Sequence, residues 1–167
     1  SGSNGSLPHA IPSDKIIAEG EFITMDFGCC YAGYHADMTR TVLIGQPTPL
    51  QQERYQLVLE AKHQAEAALH SGAIAKNIDA AARDFLTKHG YGEYFCHGLG
   101  HGVGLDIHEA PSLNRVSERV LSSGCLVTVE PGIYLPGWGG IRIEDTVLIT
   151  DSGYQSLFTS PLELQCL

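Results

Sequence analysis

The residue order predicts an α+β domain: a strand pair carrying aspartates, two helices, a glycine- and histidine-rich stretch, then a strand pair carrying glutamates. Three observations carry that expectation. Runs rich in β-branched and aromatic residues flank turn-forming clusters at residues 29–33 and 134–140. Apolar residues at helical spacing fill residues 48–89. Between the helices and the last strand pair lies Cys96 to Pro111, CHGLGHGVGLDIHEAP, with histidines at 97, 101 and 108. Glycine at this density lets the backbone come close to another group. Histidine is the metal- and electrophile-facing side chain at neutral pH.

Taken in order, Ser1 to Ser13 is rich in Gly, Ser and Pro and reads as loop, with His9 its one strongly functional side chain. Ile16 to Gly28 reads as a strand, Cys29 to Gly33 as a turn and Tyr34 to Gly45 as the returning strand. Asp26 and Asp37 lie symmetrically about a turn centred between Tyr31 and Ala32, which would set them directly opposite, about 5 Å apart at Cβ. Like charges so placed repel unless a cation sits between them. Thr48-Pro49-Leu50-Gln51 is a capping box with proline at the first helical position. It should open a helix running to about His70 that buries Leu50, Leu57, Val58, Ala61, Ala65, Ala68 and Leu69, with His63 and His70 at the surface. Asn77 to His89 reads as a second helix burying Ile78, Ala81, Phe85 and Leu86, stopped by Gly90. Ser112 to Ser123 is a polar connector, and Cys125 to Ile133 and Ile141 to Thr150 are strands about the turn Tyr134 to Gly140. Glu130 and Glu144 are symmetric about Gly137, so the second hairpin repeats the first.

The 167 residues suffice for one well-packed domain. No apolar run is long enough to span a bilayer. The formal charge of -9, from 19 acidic against 10 basic residues, argues against a nucleic-acid partner. The five cysteines, at 29, 30, 96, 125 and 166, show neither disulfide nor CxxC spacing and fit reduced thiols in the cytoplasm. The opening residues SGSNGSLPHA show no basic region followed by an apolar core, so a signal peptide is not expected.

Charged residues inside runs as apolar as VTVEP and IRIED are costly to bury unpaired. Asp26, Asp37, Glu130, Glu144 and one histidine form an oxygen-dominated ligand set whose four negative charges balance two divalent cations. Such a set suits manganese, iron(II), cobalt or zinc and does not resemble a structural zinc site. Two such ions point to metal-assisted hydrolysis of an amide or a phosphate ester.

The series MDFG, YHADMTRT, HGLGHGVGLDIHEAP, VTVEPGIY and GGIRIEDT resembles the metallopeptidase family with the pita-bread fold, which includes methionine aminopeptidase, aminopeptidase P, prolidase and creatinase. The resemblance runs from about Pro8 to Asp151 and implies a curved antiparallel sheet covered by helices, here lacking its first helix pair. It implies a dinuclear centre held by Asp26, Asp37, His101, Glu130 and Glu144, with Asp37 and Glu144 bridging. Glu130 would also shuttle the proton, and His108 would meet the scissile carbonyl or the oxyanion. His9, His97 and Arg142 would bind substrate, while Tyr34 and Thr39 would pack and support, as would Asp145. HADMTRTV and HGLGHGVGLDIHE are closer to the aminopeptidase P and prolidase branch, which implies Xaa-Pro peptides as substrates. Two manganese ions are the expected cofactors, with cobalt, zinc or iron as substitutes.

A methionine aminopeptidase-like activity is the nearer alternative; creatinase works without the metals and needs no such ligand set. A non-catalytic peptide- or protein-binding module of the same fold is the alternative of a different class, and retention of all five ligand positions separates the two. Residues 1–167 are expected to be a C-terminal catalytic domain truncated at its N-terminus, with an upstream portion of the same protein as partner. The apolar face left by the absent helices also suits a homo-oligomer.

Overall fold

A computed structural model describes all residues, 1–167. The strands are β1 (Phe22–Tyr31), β2 (Tyr34–Leu43), β3 (Gly100–Gly102), β4 (Glu109–Leu113), β5 (Leu126–Val129), β6 (Gly132–Leu135), β7 (Gly139–Arg142), β8 (Asp145–Thr150), β9 (Gly153–Ser156) and β10 (Gln165–Cys166). The helices are α1 (Pro49–Ala67) and α2 (Ala75–Lys88), with short 3-10 turns at Gly2–Ser6 and Gly92–Tyr94. Strand orders are β1-β2-β10, β4-β3-β5-β8-β9 and β6-β7. The α+β expectation holds, and no α-helix precedes the first hairpin.

The first hairpin corrects the expected register. Asp26 pairs with Thr39, and Asp37 pairs with Gly28, so the two aspartates are diagonal neighbours rather than direct partners. The cause lies in the turn. A two-residue type I′ loop, whose twist matches that of the strands, needs positive φ at both positions, and Ala32 and Gly33 adopt it at φ 50° and 85°. That puts the turn one residue later than symmetry about the aspartates requires. The partner shift is two residues, an even number, so both aspartates stay on one face.

The second hairpin follows the expected register but is bent. Leu126 pairs with Leu148, and Gly132 with Arg142, so β5–β8 and β6–β7 continue one alignment. The ladder breaks where Pro131, which has no N–H to donate, follows Glu130. At the break, Glu130 N–H turns to Leu99 O at 2.9 Å, and Glu144 N–H turns to Thr39 O at 3.1 Å. The bend thereby hands one glutamate to the histidine strand and the other to the aspartate hairpin. The turn itself is shorter than Tyr134 to Gly140, because β6 and β7 extend into it.

Helix α1 opens with the expected box: Gln51 N–H donates to Thr48 Oγ1 at 3.3 Å and Thr48 N–H to Gln51 Oε1 at 2.9 Å. Val58, Ala61, Ala65 and Leu69 are buried as expected, while Leu50 is exposed and Leu57 half-buried. Tyr55, Leu59, Lys62 and Glu66 are buried instead. The charged pair can enter because Lys62 meets Glu66 and also Asp145, the latter at 3.0 Å. His63 and His70 are exposed, as expected. Helix α2 starts two residues before the expected Asn77, with Ala82 rather than Ala81 fully buried and Phe85 half-buried; Gly90, at φ 84°, closes it.

Both helices contribute to one continuous core with the sheet, including Val58, Leu86, Leu99, Val127 and Ile141. Beyond Phe22 no residue of β1 is fully buried, and Phe27 and Tyr31 are exposed. Tyr34 is 63% exposed at the hairpin end, which corrects its expected packing role. No helix is long and apolar enough to cross a membrane.

Candidate metal centre

The bent hairpin, the aspartate hairpin and β3 meet around a cleft of about 290 Å³ with no hydrophobic residue in its lining. His9, Asp26, Asp37, His97, His101, His108, Glu130, Arg142 and Glu144 all line it. The nine residues singled out in the sequence therefore converge from six separate segments of the chain.

Three overlapping trios have ligand atoms within 4.8 Å of one another: Asp26, Asp37 and Glu144; His101, Glu130 and Glu144; and Asp37, His101 and His108. Asp37, His101 and Glu144 each belong to two trios. The ring of His101 is oriented by its Nδ1–H, which donates to Gly102 O at 3.0 Å. Its Nε2 then faces Glu130 Oε1 at 3.4 Å and Asp37 Oδ2 at 3.7 Å with a free lone pair. Burial lowers the pKa of His101, which favours that neutral form. His108 stacks edge-on to His101, with ring centroids 4.3 Å apart.

The carboxylates cannot all ionise comfortably as they stand. Burial pushes Glu130 and Glu144 well above the ordinary carboxylate range, and for Glu144 the neighbouring Glu130 and Asp37 add to it. Asp37 is raised by burial and then by Asp26. Arg142 is the one Lys or Arg in the lining, and its Nη2 is already given to Asp26 Oδ2 at 2.7 Å. Four carboxylates, one committed guanidinium and an oriented imidazole form a donor set that fits hard or borderline divalent cations.

Supporting contacts come from residues the sequence marked weakly or not at all. Thr39 Oγ1 donates to Glu144 Oε2 at 2.6 Å and accepts from Arg142 Nε at 3.1 Å. Thr128 Oγ1 donates to Glu130 Oε1 at 3.1 Å and accepts from His101 N–H at 3.0 Å. Thr128 lies two residues before Glu130, so strand alternation was a signal for it. Tyr134 had no such signal. His97 Nδ1–H donates to Gly98 O at 2.7 Å, which leaves Nε2 to accept from the Tyr134 hydroxyl at 2.8 Å. Tyr134 in turn accepts from Arg142 Nη1 at 2.9 Å, and the same nitrogen reaches Pro8 O, beside His9, at 3.3 Å. Burial pulls His97 down to about 4, consistent with a neutral ring. Asp145 faces away from the cleft, meeting Arg40 at 2.7 Å and Lys62 at 3.0 Å. Arg40 also donates to the backbone oxygens of Thr39 and Glu144, at 2.9 and 2.6 Å.

Known proteins resemble this chain in sequence and fold. An Xaa-Pro dipeptidase of Pyrococcus furiosus is 48% identical over 164 residues, which cover 98% of this chain and 47% of that protein. The structure of an Xaa-Pro dipeptidase from Bacillus anthracis superposes with a TM-score of 0.97 at 48% identity, over 99% of this chain and 47% of that one. An X-Pro aminopeptidase from Thermotoga maritima gives a TM-score of 0.97 at 42% identity, over 99% and 47% of the two chains. The chain thus spans about half the length of the curated relatives it matches, and the fold is the pita-bread fold. The model of metallopeptidase family M24 matches residues 1–151, and with the fold and relatives in agreement, this chain belongs to that family.

Proposed function

We propose that this chain carries a dinuclear metal centre that hydrolyses the peptide bond between an N-terminal residue and a following proline. The observation that carries the reading is the convergence of four carboxylates and the His101 Nε2 on one polar cleft. Asp26, Asp37, His101, Glu130 and Glu144 would hold the two ions, the carboxylates as oxygen donors and His101 through its Nε2. Two divalent ions, manganese first and cobalt, zinc or iron(II) as substitutes, supply Lewis acidity and a nucleophile active near neutral pH when bound.

The chain's own residues do the rest. Glu130, lining the cleft and held by the Thr128 hydroxyl, is the group that would take a proton from the attacking water and pass it to the leaving amine. His108, on the rim beside His101, donates toward the carbonyl oxygen as negative charge develops there. His97, His9 and Arg142 hold the substrate. Tyr134 ties His97 to Arg142, so these groups act as one wall of the cleft. Proline offers no amide N–H, so recognition of the bond must come from the carbonyl side and the ring. The P. furiosus and T. maritima relatives are named for dipeptides and for N-terminal residues respectively, so the bond type is shared and the tolerated peptide length is not. Residues 1–167 act as the C-terminal catalytic domain, with an upstream portion of the same protein completing the substrate pocket. The five free thiols suit a cytoplasmic location.

The test is metal content after manganese loading and desalting, with Glu130→Ala/Glu144→Ala as the control, followed by assays on Xaa-Pro dipeptides and Xaa-Pro-Xaa tripeptides. About two ions per chain, lost in the double variant, with cleavage before proline is the expected result. A full-length protein that retains no metal would overturn the assignment.

A further inference from the structure

Phe95 to Leu99 leads from the Gly92–Tyr94 turn into β3 and belongs to no strand ladder. Phe95 and Leu99 are fully buried, so their backbone polar groups need partners from elsewhere. Helix α2 supplies them. Asp79 and Arg83 are four residues apart and share a face of the helix. They form a buried bidentate pair, Nε to Oδ2 at 2.7 Å and Nη2 to Oδ1 at 2.8 Å. Arg83 donates further to Phe95 O at 2.8 Å and His97 O at 2.7 Å. Asp79 Oδ1 accepts the Leu99 N–H at 3.0 Å. The Leu99 carbonyl then accepts the Glu130 N–H at 2.9 Å.

A hydrophobic pair could fill the same volume, and a buried ion pair is weak evidence for stability. What a hydrophobic pair could not do is hold Phe95 O, His97 O and Leu99 N–H in one fixed relation to a helix. We infer that Asp79 and Arg83 are positioning residues for the active site, setting His97 against Tyr134 and, through Leu99, the backbone of Glu130. The inference rests on the reading of the cleft as an Xaa-Pro peptidase site and adds residues that touch neither metal nor substrate.

The experiment uses Arg83→Lys in the full-length protein. Lysine keeps the charge opposite Asp79 but lacks the fork that reaches two carbonyls at once. Thr48→Ala, which removes the α1 cap and touches nothing in the cleft, controls for lowered stability. Arg83→Lys is expected to raise KM for an Xaa-Pro dipeptide about tenfold, with a smaller change in kcat. It should also speed amide hydrogen exchange across residues 95–101, and Thr48→Ala should do neither. Asp79→Asn, which keeps an acceptor for Leu99 N–H, should move both quantities in the same direction and serves if Arg83→Lys does not fold. Unchanged KM and exchange in these variants would overturn the inference, as would equal shifts in Thr48→Ala. If the unmodified full-length protein cleaves no Xaa-Pro bond, the proposed activity falls, and the exchange measurement alone decides the clamp.

Discussion

His97 shows how burial selects a protonation state for a task. Its Nε2 must be unprotonated to accept from Tyr134, and burial lowers its pKa from 6.5 to about 4. Between those values the unfolded chain binds the extra proton and the folded chain does not, so this residue makes stability rise with pH. The contribution is present in full above pH 6.5 and is lost as the pH falls through about 4. A shift of this size corresponds to about 3 kcal/mol. Melting curves of the protein and of His97→Asn from pH 4 to 7 should differ in slope accordingly, with the variant flatter in that window. The carboxylates carry the opposite sign. Glu130 and Glu144 have raised pKa values when folded, so without metal their contribution is present below the ordinary value of 4.5 and is lost as pH rises through about 7 for Glu130 and about 9 for Glu144. The gain in melting temperature on adding manganese should therefore grow from pH 5 to pH 8. A gain independent of pH would show that these carboxylates do not face the ion.

The strands place the site through their interruptions as much as through their ladders. A bend at Pro131 frees Glu130 and Glu144 to bond outward to Leu99 and Thr39, which a straight hairpin would forbid. Strand β3 can lie close enough to β5 because residue 100 is glycine: a Cβ there would overlap the Thr128 carbonyl and crowd its hydroxyl. That hydroxyl holds both Glu130 and the His101 N–H. Gly100→Ala should cost about 1–3 kcal/mol in thermal unfolding and should weaken manganese binding measured by calorimetry. Stability loss with undiminished affinity would mean that β3 shifts without carrying His101 along. The dense glycines of CHGLGHGVGLDIHEAP announced a close approach, but which backbone they approach was not legible, because that depends on β5 lying alongside.

Across the whole molecule, a buried charge network braces the site from behind. Lys62 is wholly buried and joins α1 to Asp145 on β8, next to Glu144. Asp145 joins Arg40 on β2, and Arg40 holds the backbone oxygens of Thr39 and Glu144. Its remaining donors reach Ser160 and Pro161 in the C-terminal segment. Removing one member leaves its partners buried and short of a counter-charge, so Lys62→Met should cost about 3–5 kcal/mol. Denaturant unfolding measures this directly, and a loss below 1 kcal/mol would show that water and the neighbouring Arg40 suffice to compensate the two carboxylates.

The residues that converge on the cleft were legible in the sequence: carboxylates inside apolar strand runs, histidines among glycines, and five motifs in one order, because burying such groups is costly unless something offsets their charge. The α+β order, the α1 capping box and the register of the second hairpin were legible too, since each depends on local spacing. What local spacing could not supply was the turn at Ala32-Gly33, settled by which two residues tolerate positive φ. Nor could it supply the break at Glu130, the meeting of His97 with Tyr134, or the burial of Lys62, Asp79 and Arg83. Each depends on a partner distant in sequence, and a charged residue on a helix reads as solvated until the fold brings its counter-charge into the core.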